Sequence, residues 1–279
     1  MTRLVVQHPA LPDAAVAAFA DALGEAPAVR TAALACWPDA AIDGARAGDL
    51  GEALGVDAEI VRPGLRLADF RLAAFDMDST LITIECVDEI ADYVGRKAEV
   101  GAITEAAMRG EIADYDESLR RRVALLAGLP ESTLERVWDE RVRLSPGAEA
   151  LTAALRAAGL HLLVVSGGFT FFTERLKRRL GLDTARSNVL EVVDGRLTGR
   201  LLGPIVNAER KRTIVEQACA QLGCTPTRAI VVGDGANDLK MMSIAGLSVA
   251  FHAKPIVRDE TTHAINHCGL DAILAFFEP

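Results

Sequence analysis

Cysteine is scarce in this chain and shows no pairing pattern. Cys36, Cys86, Cys219, Cys224 and Cys268 form an odd-numbered set without a C-x-x-C spacing. That argues against a disulfide framework and a cysteine-ligated zinc site, and a reducing cytoplasm is the expected setting. Positive charge is in deficit: 30 Lys and Arg face 39 Asp and Glu, a formal net charge of -9. Nucleic-acid binding rests on neutralising phosphates with basic side chains, so no nucleic-acid partner is expected. A local basic site for a small anion is still compatible with an acidic surface. No uninterrupted apolar run is long enough to span a bilayer, and residues 1–8 lack the apolar segment of a signal peptide, so no membrane association is expected. Internal repeats are absent, and so are low-complexity tracts beyond a general richness in alanine.

What is present suits a globular enzyme. The 279 residues, half of them hydrophobic and a quarter charged, are enough for one full-sized domain and an accessory one. Strand-like segments at Leu4–Val6, Val29–Trp37 and Ala58–Val61 alternate with helical ones at Asp13–Leu23 and Asp49–Leu54, giving a small α+β unit over residues 1–68. It carries no evident site. A regulatory ligand-binding module and a folding and dimerisation appendage both fit, and the missing site favours the appendage, with a homodimer as its corollary.

From residue 69 the pattern changes. Leu72–Phe75 is a short apolar run that reads as a buried parallel strand. Four segments at helical spacing follow, Cys86–Tyr93, Ala98–Met108, Tyr115–Leu126 and Ser132–Glu140. Strands then resume, at Leu160–Val165, Asn188–Val193, Arg196–Leu202, Ala229–Val232 and Leu247–Phe251, with helices between them and a hairpin signal at Asp194-Gly195. Strand–helix alternation predicts an α/β, Rossmann-like parallel sheet flanked by helices. The core is expected over 69–84 and 144–279, with residues 85–143 inserted as a helical cap above the first core strand.

Ligands of open α/β sheets bind beyond the carboxyl ends of the strands. Asp76 and Asp78 stand at such an end, and so does Gly233-Asp234-Gly235-Ala236-Asn237-Asp238. An acidic turn would explain the first pair alone. Acids and an amide together at a second strand end are costly to bury without a metal or ligand. Phosphate-ester cleavage, which enzymes accelerate by up to about 10²¹-fold, uses such a set. Asp76 can attack phosphorus as a carboxylate, and Asp78 can shuttle the proton. Asp76, Asp234 and Asp238 offer hard oxygen ligands suited to Mg²⁺. Backbone N–H groups at Ser166-Gly167 can hold phosphate oxygens, though a plain turn reads the same way. Lys211 supplies a cation for phosphate, or else a solvated helix face. Glu85 and Arg122 taken singly are surface charges, and Met108 and Tyr115 taken singly are packing residues of the cap.

Read together, these stretches resemble the haloacid dehalogenase (HAD) superfamily. Asp76-Met77-Asp78-Ser79-Thr80 matches its D-x-D-x-T motif, and Ser166, Lys211 and Gly233-Asp234 with Asp238 match its other three motifs in order. Residues 76–85, Ser118–Val123, Val164–Phe169, Gly233–Asp238 and Ala250–Pro255 extend the resemblance to the members that hydrolyse phosphoserine. The resemblance implies a HAD-type core with a four-helix cap. It implies Asp76 as nucleophile and Asp78 as acid and base. Mg²⁺ would take Asp76, the Asp78 backbone carbonyl and Asp234, supported by Asp238. Ser166, Gly167 and Lys211 would hold phosphate. Glu85, Arg122, Asn237, Met108 and Tyr115 would contact O-phospho-L-serine, whose hydrolysis ends serine biosynthesis. The family's pattern has phenylalanine where Tyr115 stands, and residues 1 to about 70 lie outside the resemblance. Rival readings are a phosphatase or phosphotransferase for phosphohomoserine or another small ester, and a non-catalytic amino-acid sensor.

Overall fold

The structure is a computed structural model. It describes residues 2–108, 111–112 and 114–278, and its description of residues 107 and 108 stops at the backbone. Two sheets organise the described residues. The first holds β1 (Thr2–Gln7), β2 (Val29–Arg30), β3 (Leu34–Ala40) and β4 (Asp57–Val61) in the order β2-β3-β1-β4, with antiparallel neighbours. Helices α1 (Asp13–Leu23) and α2 (Gly44–Leu54) belong to the same unit. Leu4, Val6, Phe19 and Trp37 pack into a small core of their own.

Two expectations shift here. The single strand expected over Val29–Trp37 is broken at 31–33, because Thr31 Oγ1 accepts the N–H groups of Ala33 and Leu34 in place of a ladder bond. The helix expected from Asp49 starts five residues earlier, at Gly44, because the Asp43 carboxylate caps it by accepting from Arg46 N at 2.8 Å.

The second sheet has seven strands: β5 (Leu72–Phe75), β6 (His161–Phe169), β7 (Thr184–Val193), β8 (Arg196–Leu202), β9 (Ala229–Gly233), β10 (Leu247–Phe251) and β11 (His263–Ile265), in the order β11-β10-β9-β5-β6-β7-β8. All neighbours are parallel except β7 and β8. Helices α7 (Ala148–Ala157), α8 (Thr170–Leu180) and α9 (Ala208–Gln221) connect core strands, giving the expected α/β architecture. β5, β9 and β10 are buried along their whole lengths, as short apolar strands covered on both faces must be. Phe75 is in register with Val164 and Val232, so β5, β6 and β9 deliver Asp76, Ser166 and Asp234 to one edge of the sheet.

Helices α3 (Cys86–Asp92), α4 (Lys97–Met108), α5 (Tyr115–Ala124) and α6 (Ser132–Glu140) form the insertion between β5 and β6. Main-chain bonds seat it on the β7–β8 hairpin: Gly128 N to Leu197 O, Leu197 N to Leu129 O, and Glu131 N to Gly195 O, each at 2.8–2.9 Å. Gly199, with φ +79°, lies against Ala124 and Ala127, where a β-carbon would collide with them.

The first sheet joins the core through two acids of β4. Asp57, 3 % exposed, accepts from the backbone N–H groups of Asn266, His267 and Cys268. Glu59 accepts from Ala264 N and from His263 Nδ1, both at 3.0 Å. His263 and His267, which share a helical spacing in the sequence, in fact sit in a strand and the loop after it.

Candidate active site

The site begins where β5 ends. Asp76 N–H still donates to Val232 O at 3.0 Å, and the side chain turns back so that Oδ1 accepts from Met77 N–H at 2.7 Å. The chain then makes a tight turn over residues 77–81, closed by Ile82 N to Met77 O at 3.0 Å, with Ser79 at φ +55°. A seryl residue in the left-handed region is uncommon and is held there by its surroundings. The turn brings Thr80 across to β9, where Oγ1 donates to Asp234 Oδ1 at 2.6 Å.

Lys211 rises into the same place from α9. Asn207 caps that helix by accepting from Arg210 N. Lys211 shares the buried face of α9 with Val215 and Cys219, one and two turns on. Its ammonium is fully buried, 2.7 Å from Asp76 Oδ2 and 2.7 Å from Asp238 Oδ1. The solvated-face reading of this lysine is therefore overturned. Burial depresses the Lys211 pKa, but the Asp238 and Asp76 carboxylates outweigh burial and hold it above its ordinary range.

Carboxylate oxygens of Asp76, Asp234 and Asp238 lie within 4.8 Å of one another. Three carboxylates thus share one ammonium. Burial first, and the Asp76 charge second, push Asp234 up to about 7 and Asp238 up to about 7. A buried, oxygen-only cluster with excess negative charge fits a hard divalent cation.

Asp78 has a different environment. It is partly buried, and desolvation, then the charge of Glu85, raises its pKa well above its ordinary value. Its Oδ1 has no hydrogen-bond partner among the described residues. A carboxyl whose neutral form is favoured in this way suits a general acid. Beside it, Ser166 Oγ accepts from Gly168 N at 2.9 Å, and a β-carbon on Gly168 would stand 3.1 Å from Asp78 Oδ2. Asn188, 2 % exposed, fixes the loop: its Nδ2 donates to Gly167 O at 2.7 Å and its Oδ1 accepts from Val206 N at 2.8 Å.

Over these groups lies a cavity of about 760 Å³, walled by the sheet edge on one side and by the insertion on the other. Asp76, Asp78, Glu85, Tyr115, Arg122, Ser166, Gly167, Asp234 and Asn237 all line it. Lys211 and Asp238 stand directly behind Asp76. Glu85 Oε1 accepts from Ser79 Oγ at 2.7 Å, and burial raises its pKa. Arg122 Nε is buried without a partner among the described residues. Met108 is on the described backbone, but its side chain lies outside the described residues.

Several contributors are missed by sequence reasoning. Thr80 is legible as the threonine of the D-x-D-x-T motif, but its bond to Asp234 is not. Asn188 reads as an ordinary residue of a hairpin strand, and nothing local marks it. Cys86, whose backbone N–H and thiol act on Asp78, reads as a helix start. His252 and Lys254 also line the cavity; they fall in the Ala250–Pro255 stretch of the resemblance, which gives neither of them a role.

The profile of the haloacid dehalogenase-like hydrolase family matches residues 73–243. A phosphoserine phosphatase of a Polaromonas species is 59% identical over 224 residues, covering 79% of this chain and 95% of that protein. One from Archaeoglobus fulgidus is 46% identical over 226 residues, covering 80% of this chain and 65% of its own. The crystal structure of a HAD family hydrolase from Salmonella enterica serovar Typhi superposes with a TM-score of 0.90 at 33% identity, covering 100% of this chain and 99% of that one. A substrate-bound phosphoserine phosphatase complex superposes with a TM-score of 0.70 at 39% identity, covering 75% of this chain and 99% of that one.

Proposed function

Because the chain belongs to the haloacid dehalogenase-like hydrolase family, we propose that it hydrolyses O-phospho-L-serine to L-serine and phosphate. One observation carries the reading. Asp76, paired with a lysine, and Asp78, an acid of raised pKa, face a cavity that also holds Glu85 and Arg122.

Asp76 attacks phosphorus through a carboxylate oxygen, and the bond from phosphorus to the seryl oxygen breaks. Asp78 gives its proton to that oxygen, so L-serine leaves as the neutral alcohol. A water then attacks the aspartyl-phosphate, Asp78 takes one of its protons, and phosphate and the Asp76 carboxylate are regenerated. Lys211 holds Asp76 and the phosphoryl oxygens, while Ser166 and the Gly167 N–H hold the phosphate from the β6 side. A divalent cation, Mg²⁺ in this reading, would be held by Asp76, the Asp78 backbone carbonyl and Asp234, with Asp238 in support. It supplies the positive charge that lets a carboxylate and a phosphate approach each other. Glu85 takes the substrate ammonium, and Arg122, with an unpaired Nε, takes its carboxylate. Asn237 completes the substrate contacts.

The remaining parts of the reading follow from composition. The acidic balance and free cysteines suit a cytoplasmic enzyme of a small-molecule substrate, without nucleic-acid or membrane partners. Residues 1–68 suit a folding and dimerisation appendage to a core over 69–84 and 144–279 and a cap over 85–143.

A phosphate-release assay in Mg²⁺ over a panel of small phosphomonoesters tests this. Phosphoserine should be the preferred ester. Asp76→Asn should abolish turnover. Arg122→Ala should raise KM for phosphoserine far more than for an ester without a carboxylate. Full activity in Asp76→Asn would end the covalent mechanism, and equal effects of Arg122→Ala on both esters would end the substrate assignment.

A further inference from the structure

Tyr115 opens α5 on the cap side of the cavity, directly after Asp114, whose carboxylate caps the helix by accepting from Glu117 N at 2.7 Å. The next residue, Asp116, accepts from Asn207 Nδ2 at 2.9 Å, and Asn207 caps the helix that carries Lys211. The first turn of α5 is therefore tethered to the element that delivers the buried ammonium. This tether sets where the Tyr115 ring points. Its hydroxyl reaches across the cavity to the β6 loop, so close to Gly167 that a β-carbon there would collide with Oη.

Three facts then converge. Among the described residues, no group forms a hydrogen bond with this hydroxyl. Tyr115 nevertheless faces the polar end of the cavity, beside Gly167, Ser166 and Asp76. Burial, only partly opposed by the charges of Lys211 and Arg122, pushes its pKa up to about 12, so it is a neutral O–H donor at physiological pH. The hydroxyl is instead open to the cavity, where the oxyanion of a bound ester can accept from it.

We infer that the Tyr115 hydroxyl donates a hydrogen bond to a non-bridging phosphoryl oxygen of the bound ester, next to the Gly167 N–H. The inference deepens the phosphatase reading and rests on it. It separates two jobs within the cap: Arg122 and Glu85 read the amino-acid end, whereas Tyr115 reads the phosphate.

Tyr115→Phe removes one oxygen and keeps the ring, so packing is preserved. The test has two measurements. Calorimetric titration of the Mg²⁺-loaded protein with inorganic phosphate should show roughly tenfold weaker binding in Tyr115→Phe, the loss expected for one hydrogen bond to a charged acceptor. Titration with L-serine should change less than about twofold on the same scale. In turnover, kcat/KM for phosphoserine and for a carboxylate-free phosphate ester should fall by the same factor, unlike the split expected of Arg122→Ala. Unchanged phosphate binding would overturn the inference, and so would a loss confined to L-serine or to phosphoserine. Failure of the phosphatase reading would be seen separately, as absence of phosphoserine turnover in the parent protein.

Discussion

Replacing Lys211 with methionine probes the centre of the site more directly than removing any carboxylate. The substitution keeps most of the aliphatic stem and deletes a fully buried ammonium that stands 2.7 Å from Asp76 Oδ2 and 2.7 Å from Asp238 Oδ1. At an effective dielectric constant of about 20, each contact carries roughly 6 kcal/mol of gross attraction. Desolvation of the ammonium offsets several kcal/mol of that sum, and breaking a buried pair by removing one partner costs about 3–5 kcal/mol in practice. The upper end applies here, since two carboxylates lose their counter-ion together. For a chain of this size about 5 kcal/mol corresponds to a fall in Tm of about 10 °C. Thermal unfolding in EDTA at pH 8 is the assay. Two further signs should accompany the fall. The gap to the parent should narrow as the pH is lowered to 6, because Asp238 without its cation takes up a proton instead. Added Mg²⁺ should raise the Tm of the variant more than that of the parent, because the uncompensated charge is larger. A Tm within about 2 °C of the parent in EDTA, where about 10 °C is expected, would refute the claim that this lysine neutralises the cluster.

Metal binding should depend on pH in a defined sense. Asp234 and Asp238 are both raised to about 7. Their contribution to the stability of the metal-free protein is therefore fully present below about pH 4 and lost as the pH rises through 7. Mg²⁺ must displace those protons, so its apparent affinity should climb between pH 6 and 8, and calorimetry in buffers of different ionisation enthalpy should detect proton release. No release at pH 6.5 would contradict the assignment of these two acids. At the seam between the sheets, Asp57→Ala strips the acceptor from three backbone N–H groups and should lower stability by about 3 kcal/mol in urea unfolding, with Asp57→Asn recovering part of it. A loss below about 0.5 kcal/mol would mean that water replaces the carboxylate.

Much of the fold was legible because the signals that set it are local. The apolar runs at 72–75, 229–232 and 247–251 read as strands, and the four helical segments after Asp78 read as an insertion, and among the described residues both are found so. The two acidic strand ends were legible for the same reason. Other features depend on partners distant in sequence. Lys211 looks like any helix-surface lysine until Asp76 and Asp238 arrive from two strands. Asn188 has no local mark, because the atoms it binds belong to Gly167 and Val206. The anchoring role of Asp57 needs a loop more than two hundred residues away. Thr31 is a different failure: a side chain outcompeted the ladder within its own segment, a contest that strand propensity does not weigh.

The seat of the cap on the β7–β8 hairpin is made from peptide groups, at residues 128–131 on one side and 195–197 on the other. Peptide groups are common to every amino acid. The helices above can therefore exchange side chains away from Ala124 and Ala127 while these main-chain bonds to the hairpin are kept. On the proposed function, a lineage could retune what it recognises at positions such as 115 and 122 without first having to reinvent how the cover is fastened.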